Sequence, residues 1–181
     1  MKKSLIALAT LAGLSASVMQ AQASDGTINF TGKVEDVTCT IQVNGAGTGD
    51  GSVTLPTVSK TSLKGVGTTG GDTNFSIKLS NCTGTEVAGG PGVAVFFEPG
   101  PNVTALGNLK NTGTGPADVE LAIYRNGQAG ALNLGGKPVI PFTTISGEQA
   151  DMPFTVKYYS KSATPGAGEV KSSVTYSIIY P

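Results

Sequence analysis

Apolar and polar residues alternate along much of the chain, with the period of two that β-strands impose on side chains sharing one face of a sheet. In NFSIKLSN, residues 74–81, the side chains of Phe75, Ile77 and Leu79 lie on one face. Runs of this kind, bounded by turn residues, predict eight strands, at 33–43, 53–58, 74–81, 93–98, 119–125, 139–145, 152–160 and 170–180.

Glycine-rich stretches separate these strands. Glycine supplies 26 of the 181 residues, about twice its usual share. It clusters in three runs that are typical of loops, namely NGAGTGDG (44–51), GVGTTGGD (65–72) and GTEVAGGPG (84–92). Many short strands joined by such loops favour an antiparallel sandwich with one core between two sheets. The predicted fold class is therefore all-β.

The stretch SDGTINFTGKV, residues 24–34, contains a further alternating run from Thr27 to Val34. Ile28 and Phe30 would share one face with Gly32 and Val34, and the polar residues would share the other. An ordinary first strand that pairs within its own domain is one interpretation of this run. A strand that projects from the start of the exported chain is the other.

The first 23 residues have the features of a secretory signal. Lys2 and Lys3 precede an apolar run that is too short to span a bilayer comfortably, and residues 21–23 form a small-x-small cleavage site. Cleavage there would leave residues 24–181. The loss of the two lysines would leave 10 basic against 12 acidic side chains, a net charge of −2. No basic cluster indicates a nucleic-acid partner or an anionic membrane.

The sequence contains two cysteines, Cys39 and Cys82, and no histidine. In an oxidising compartment a disulfide is favoured over a redox pair or metal site, because no third or fourth metal ligand accompanies the two thiols. The lack of histidine excludes Ser-His-Asp triads, Cys-His pairs and almost every zinc site. An enzyme is therefore not expected.

Two further motifs have the residue types of known binding or catalytic sites. GVGTTG, residues 65–70, matches the glycine fingerprint of dinucleotide sites, but its flanks predict neither the preceding strand nor the following helix that such a site needs. Asp118 and Glu120 would share one strand face, as paired carboxylates do in glycosidases. Nothing else in the sequence builds a site around them, so a solvated strand face is predicted. No cofactor and no metal are expected.

Four segments together resemble the subunits of chaperone–usher fimbriae, the type 1 pilin family. The first and the last of them carry most of the likeness in combination, and the middle of the chain matches more loosely. The segments are GTINFTGKVEDVTC (26–39), VTLPTVSKTSL (53–63), FSIKLSNC (75–82) and TPGAGEVKSSVTYSIIYP (164–181).

The resemblance implies an incomplete immunoglobulin-like sandwich that lacks its last strand and is completed by a donor strand from another subunit. It divides the chain into a signal peptide (1–23), an N-terminal extension (24–32) and a pilin domain (33–181), and it pairs Cys39 with Cys82. The donor strand would dock through Ser24, Gly26, Ile28, Phe30 and Gly32. The acceptor groove would be lined by Val34, Val43, Val174, Tyr176, Ile178 and Tyr180.

The resemblance also implies partners and a location. Neighbouring subunits, a periplasmic chaperone and an outer-membrane usher would bind the chain, and the product would be a fimbria on the bacterial surface that supports adhesion. Two alternatives remain at this point. The chain could be a minor, adaptor or adhesive subunit that binds a host glycan, or residues 24–32 could fold back into their own groove and give a self-complemented monomer.

Overall fold

The computed structural model describes residues 27–34, 36–84, 92–139 and 141–180. The chain divides into two units, Met1–Lys33 and Val34–Pro181. The predicted signal peptide, with Ser24 and Gly26, lies outside the described residues. Residues 27–33 of the first unit have no regular secondary structure. The alternation there fixes which side chains share a face, but a ladder forms only where a second strand supplies hydrogen-bond partners.

The described residues of the second unit contain seven strands and one short 3₁₀ helix. They are β1 (Val37–Val43), the 3₁₀ helix (Lys60–Leu63), β2 (Thr69–Gly84), β3 (Ala94–Phe97), β4 (Leu109–Lys110), β5 (Val119–Arg125), β6 (Ala150–Ser160) and β7 (Tyr176–Ile179). No helix among the described residues is long and apolar enough to cross a membrane.

The strands form two antiparallel sheets. The larger sheet has the order β1-β2-β6-β5-β4, and the smaller one pairs β3 with β7. Phe154 of the larger sheet stacks on Phe75 and meets the edge of the Phe97 ring from the smaller sheet, with centroid distances of 5.4 Å in both pairs. The two sheets therefore enclose one hydrophobic core, and the prediction of an all-β sandwich is confirmed.

Several strand predictions need correction. Residues 53–58 form no strand. The described residues of 139–145 form an isolated bridge between Thr143 and Val93 but no regular strand, and the last strand begins at 176 instead of 170. Strand β2 begins at Thr69, inside a stretch predicted as a loop, and its pairing with β6 is irregular between Gly70 and Thr73. Glycines in this position are typical of a bulge, which a simple alternation does not predict.

Cys39 and Cys82 form a disulfide between β1 and β2, with their Cα atoms 4.1 Å apart. The two strands pair antiparallel on either side of the bond, and their register shifts between Thr38 and Thr40. Cys82 is 1% exposed. The predicted pairing is thus present and lies within the core.

The prediction of a solvated face around Asp118 and Glu120 is wrong for Glu120, which is 1% exposed. Its Oε1 atom lies 2.9 Å from Lys161 Nζ, and its Oε2 atom accepts a hydrogen bond of 3.0 Å from Asn108 Nδ2. A carboxylate is tolerated at this depth because a cation and an amide compensate its loss of hydration. Asp118 accepts a hydrogen bond from the Gly166 N–H at the surface.

Candidate strand-binding groove

A long groove opens along one edge of the sandwich in the second unit. It consists of two adjoining clefts of about 670 and 510 Å³, which share four lining residues. These are Val53, Leu55, Leu121 and Ser172. The groove is therefore continuous, and it is large enough for an extended peptide segment rather than a single side chain.

The floor of the groove consists of the hydrophobic core itself. Phe75, Ile77 and Ile123 from the larger sheet and Phe97 from the smaller sheet all line the 510 Å³ cleft. Burial of exposed apolar surface contributes about 25 cal/mol per Å². Because core residues line this cleft, an apolar side chain that entered it would pack into the core and would be stabilised by the burial of its apolar surface.

One side of the groove is formed by residues 49–58, here called the wall segment. Its residues make no backbone–backbone hydrogen bond to any described residue. The side chains of Val53 and Leu55 pack against the core, so they alternate inward as in a strand. The wall segment thus has strand-like side-chain directions, but no described strand makes a backbone–backbone hydrogen bond to it.

The opposite side is formed by β7 and the residues before it. Within the described chain, β7 pairs only with β3. The Glu98 N–H donates to the Thr175 carbonyl oxygen, which extends this pairing toward residue 175. Because backbone groups alternate in direction along a strand, those of Ser172 and Val174 point away from β3. Neither residue has a backbone hydrogen bond to another described residue.

The structure brings together only part of the predicted acceptor groove. Val43, Val174 and Tyr176 line it. Ile178 and Tyr180 pack against the same core, but they do not line either cleft.

Val34 lies away from the groove and is 97% exposed. It precedes Val43 by nine positions, an odd number, and strand residues separated by an odd number point to opposite faces. The prediction that both line the groove therefore conflicts with the alternation itself. The wall residues Val53 and Leu55 were missed as groove residues, although the alternation in SVTLPTV could have identified them.

The described part of the predicted donor strand is exposed. Ile28 and Phe30 are 78% and 88% exposed, and a side chain at Gly32 would meet no atom within 4 Å. Exposure of two large apolar side chains within three residues is unusual for a segment that has no binding partner.

Two tyrosine hydroxyls reach the wall segment. Tyr176 Oη donates to the Gly49 carbonyl oxygen over 2.7 Å, and Tyr158 Oη donates to the Pro56 carbonyl oxygen over 3.2 Å. Burial raises the pKa of both hydroxyls, and the nearby Asp50 carboxylate raises the pKa of Tyr176 further. Both groups therefore stay protonated, and able to donate, up to a higher pH than an ordinary tyrosine.

We expect Gly51→Ala to destabilise the second unit by about 1–3 kcal/mol, the usual range for overpacking. A Cβ atom at position 51 would lie 2.5 Å from both Cβ and Cγ1 of Val43, so the wall segment or β1 would have to move. Chemical denaturation measures the loss. Gly100→Ala is the control, because a Cβ there meets nothing within 4 Å. Equal stability of the two variants would contradict the close contact.

Comparison with known proteins identifies the family. The model for type-1 fimbrial protein A matches residues 55–181. The chain belongs to the type-1 fimbrial protein family. It is 39% identical over 177 residues to the major fimbrial subunit SMF-1 of Stenotrophomonas maltophilia, covering 92% of this chain and 99% of that protein. It is 33% identical to the F17 fimbrial protein of Escherichia coli, covering 99% of each.

Solved structures confirm the fold of the family. The P pilus rod subunit PapA superposes with a TM-score of 0.60 at 19% identity, over 79% of this chain and 99% of that one. A subunit from the structure of a chaperone–usher pilus also gives 0.60, at 18% identity, over 87% and 96%. The second unit therefore has the immunoglobulin-like fold of pilins, as the resemblance implied. Members of this family are structural subunits of extracellular surface fimbriae.

Proposed function

We propose that this chain is a structural subunit of a bacterial surface fimbria and that its copies join head to tail by exchange of a strand. Residues 24–32, here called the arm, would occupy the groove of the next copy. The observation that carries the proposal is the groove itself. Its apolar floor lies between the wall segment and the open edge at Ser172 and Val174, and neither side makes a backbone–backbone hydrogen bond to a described residue.

An added strand would satisfy both features of the groove at once. Its backbone would pair with the wall segment or with the open edge at Ser172 and Val174, and its inward side chains would cover the floor. Binding by strand addition of this kind draws affinity from main-chain hydrogen bonds and specificity from alternate side chains. An open edge left unpaired would instead promote aggregation.

The composition of the arm fits this role. Ile28 and Phe30 have the spacing of alternate residues, and each would contribute about 1.5–3 kcal/mol if it became fully buried. Gly26 and Gly32 lie on the same face of the alternation and permit close approach of two backbones. By resemblance to the family, Gly26 is the small docking residue, and Ser24 is the first to engage when strands exchange.

Head-to-tail pairing of this type does not close on itself, because the arm and the groove are different surfaces. Such heterologous contacts produce open filaments when the rotation between successive copies does not close a ring. Before assembly, a periplasmic chaperone would cover the groove and an outer-membrane usher would deliver the subunit, as the family relationship suggests. The signal-like start of the sequence supports export, and the fimbria would lie outside the cell.

Deletion of residues 24–32 tests the proposal. We expect the deleted chain to form no fibres, because the donor strand is gone while the groove remains. Sedimentation and electron microscopy of surface material provide the measurement. As a matched control, an arm with Thr27 and Thr31 replaced by serine keeps its inward face and should still form fibres.

A second control separates loss of the donor from loss of folding. The deleted chain receives SDGTINFTGK through a flexible linker after Pro181, so that the arm can enter the groove of its own chain. This fusion should be a monomer with a melting temperature far above that of the deleted chain. Fibres from the deleted chain, or equal melting of the two proteins, would count against strand exchange.

A further inference from the structure

The wall segment is attached to the rest of the fold by few polar contacts. Two hydrogen bonds join residues 49–58 to described residues beyond their immediate sequence neighbours, and both come from tyrosine hydroxyls. The remaining attachment is apolar, through the side chains of Val53 and Leu55. Since the backbone of this segment has no ladder, the tyrosines supply the directional contacts that fix its position.

The two hydroxyls act near opposite ends of the wall segment and come from different sheets. Tyr176 belongs to β7 in the smaller sheet and bonds Gly49, whereas Tyr158 belongs to β6 in the larger sheet and bonds Pro56. The Tyr158 ring is itself closely packed, because a Cβ atom on Gly71 would lie 2.7 Å from its Cδ2 atom. A ring held in this way presents its hydroxyl at a fixed point.

The sequence around Gly49 makes such fixing necessary. Four glycines occur between residues 45 and 51, and two of them, Gly45 and Gly47, have positive φ angles of 76°. Glycine has the largest conformational freedom of any residue, so a run of this composition samples many backbone arrangements unless other contacts restrict it. Loss of the Tyr176 hydroxyl would therefore let the Gly49 end of the wall segment move.

We propose that Tyr158 and Tyr176 are positioning residues, which hold the wall segment in the conformation that admits an incoming strand. The inference rests on the proposed function and assigns the two hydroxyls a part in it. The occupant is the arm of a second copy of this chain. The tyrosines need not touch the arm; they act through the carbonyl groups of Gly49 and Pro56.

This role predicts a particular kinetic effect. If only a fraction of molecules has the wall in place, the apparent association rate is the full rate multiplied by that fraction. Once the arm is bound, its own contacts hold the wall, so the dissociation rate changes little. A net hydrogen bond contributes about 1 kcal/mol, which corresponds to about a fivefold change in the equilibrium constant between the placed and the displaced wall.

The test uses the full exported chain, kept dilute so that copies rarely meet, and a fluorescent peptide of sequence SDGTINFTGK in excess. Anisotropy gives the association rate, and a chase with unlabelled peptide gives the dissociation rate. Tyr158→Phe and Tyr176→Phe should each slow association measurably, by up to about fivefold, and the double variant more. Tyr159→Phe, on the opposite face of β6, should leave both rates unchanged.

The outcomes separate the two proposals. If the peptide does not bind the unaltered chain, strand exchange itself fails, and the positioning role fails with it. If the peptide binds but both tyrosine variants associate at the unaltered rate, only the positioning role is overturned. A faster dissociation with normal association would also overturn it, since the hydroxyls would then stabilise the complex and not the open groove. Should one variant not fold, the other carries the test.

Discussion

Replacing both Cys39 and Cys82 by serine is expected to destabilise the second unit by about 2–5 kcal/mol and to reduce sharply the yield of exported protein. The disulfide closes a loop with a sequence separation of 43, for which loop-closure entropy predicts about 4 kcal/mol. A domain of this size has a total stability of about 5–15 kcal/mol. The loss would therefore remove a large fraction of the margin that keeps the subunit folded before assembly.

The position of the bond adds to this expectation. Strand β1 lies at the edge of the larger sheet and pairs only with β2 among the described strands, so the disulfide is a covalent tie between an edge strand and its one neighbour. Val43 at the end of β1 also lines the groove. Detachment of β1 would therefore disturb the strand-binding site as well as the core.

Chemical denaturation of the double serine variant, compared with the unaltered protein, measures the effect. The unaltered protein denatured in the presence of a thiol reductant is the matched control, since it loses the bond but keeps both sulfur atoms. The two should unfold at similar denaturant concentrations. A double variant as stable as the oxidised protein would show that the other β1–β2 contacts suffice.

Sequence alternation predicted the bounds of β3, β5 and β6 to within two residues. Strand β5 occurs at its predicted bounds, 119–125, between β4 and β6. Strand β6 begins only two residues before its predicted start. In such strands local preference and sheet pairing agree, and the alternation is then sufficient to locate the element.

Alternation could not predict which segments lack a neighbour. Residues 53–58 have the sequence of a strand and the inward side chains of a strand, yet they pair with none of the described residues. Side-chain periodicity reports direction relative to a face, whereas pairing depends on what lies alongside. In this protein that failure marks the groove, because an unpaired segment with strand character is what a donor strand would complete. Strand β4 has only two residues, which is too short for an alternation of apolar and polar residues to be detected.

The burial of Glu120 could not be predicted from the sequence either. Its partners Asn108 and Lys161 lie 12 residues before it and 41 residues after it, and only the folded sheet brings them together. A charged residue in a strand is usually solvated, so the prediction followed the ordinary case. The exception required knowledge that β4 pairs with β5, which places the preceding residue, Asn108, beside Glu120.

We expect Glu120→Ala to destabilise the second unit by about 3 kcal/mol, at the lower end of the range for breaking a buried ion pair. The Lys161 ammonium would lose a partner at 2.9 Å, but its side chain is 39% exposed and water can reach it. The amide of Asn108, which is 4% exposed, would lose its hydrogen-bond acceptor with less compensation. Glu120→Gln keeps an oxygen acceptor and should cost about 1 kcal/mol.

Two comparisons make this expectation decisive. Asp118→Ala removes a carboxylate from the same strand region, but at the surface, and should change stability by about 0.5 kcal/mol or less. A double-mutant cycle of Glu120→Ala with Lys161→Ala isolates the ion pair, for which we expect a coupling of at least about 1 kcal/mol. If the coupling were zero while Glu120→Ala remained costly, the loss would originate in Asn108 and packing. The ion pair with Lys161 would then add no net stability, and an apolar pair at positions 108 and 120 should restore the stability that Glu120→Ala loses.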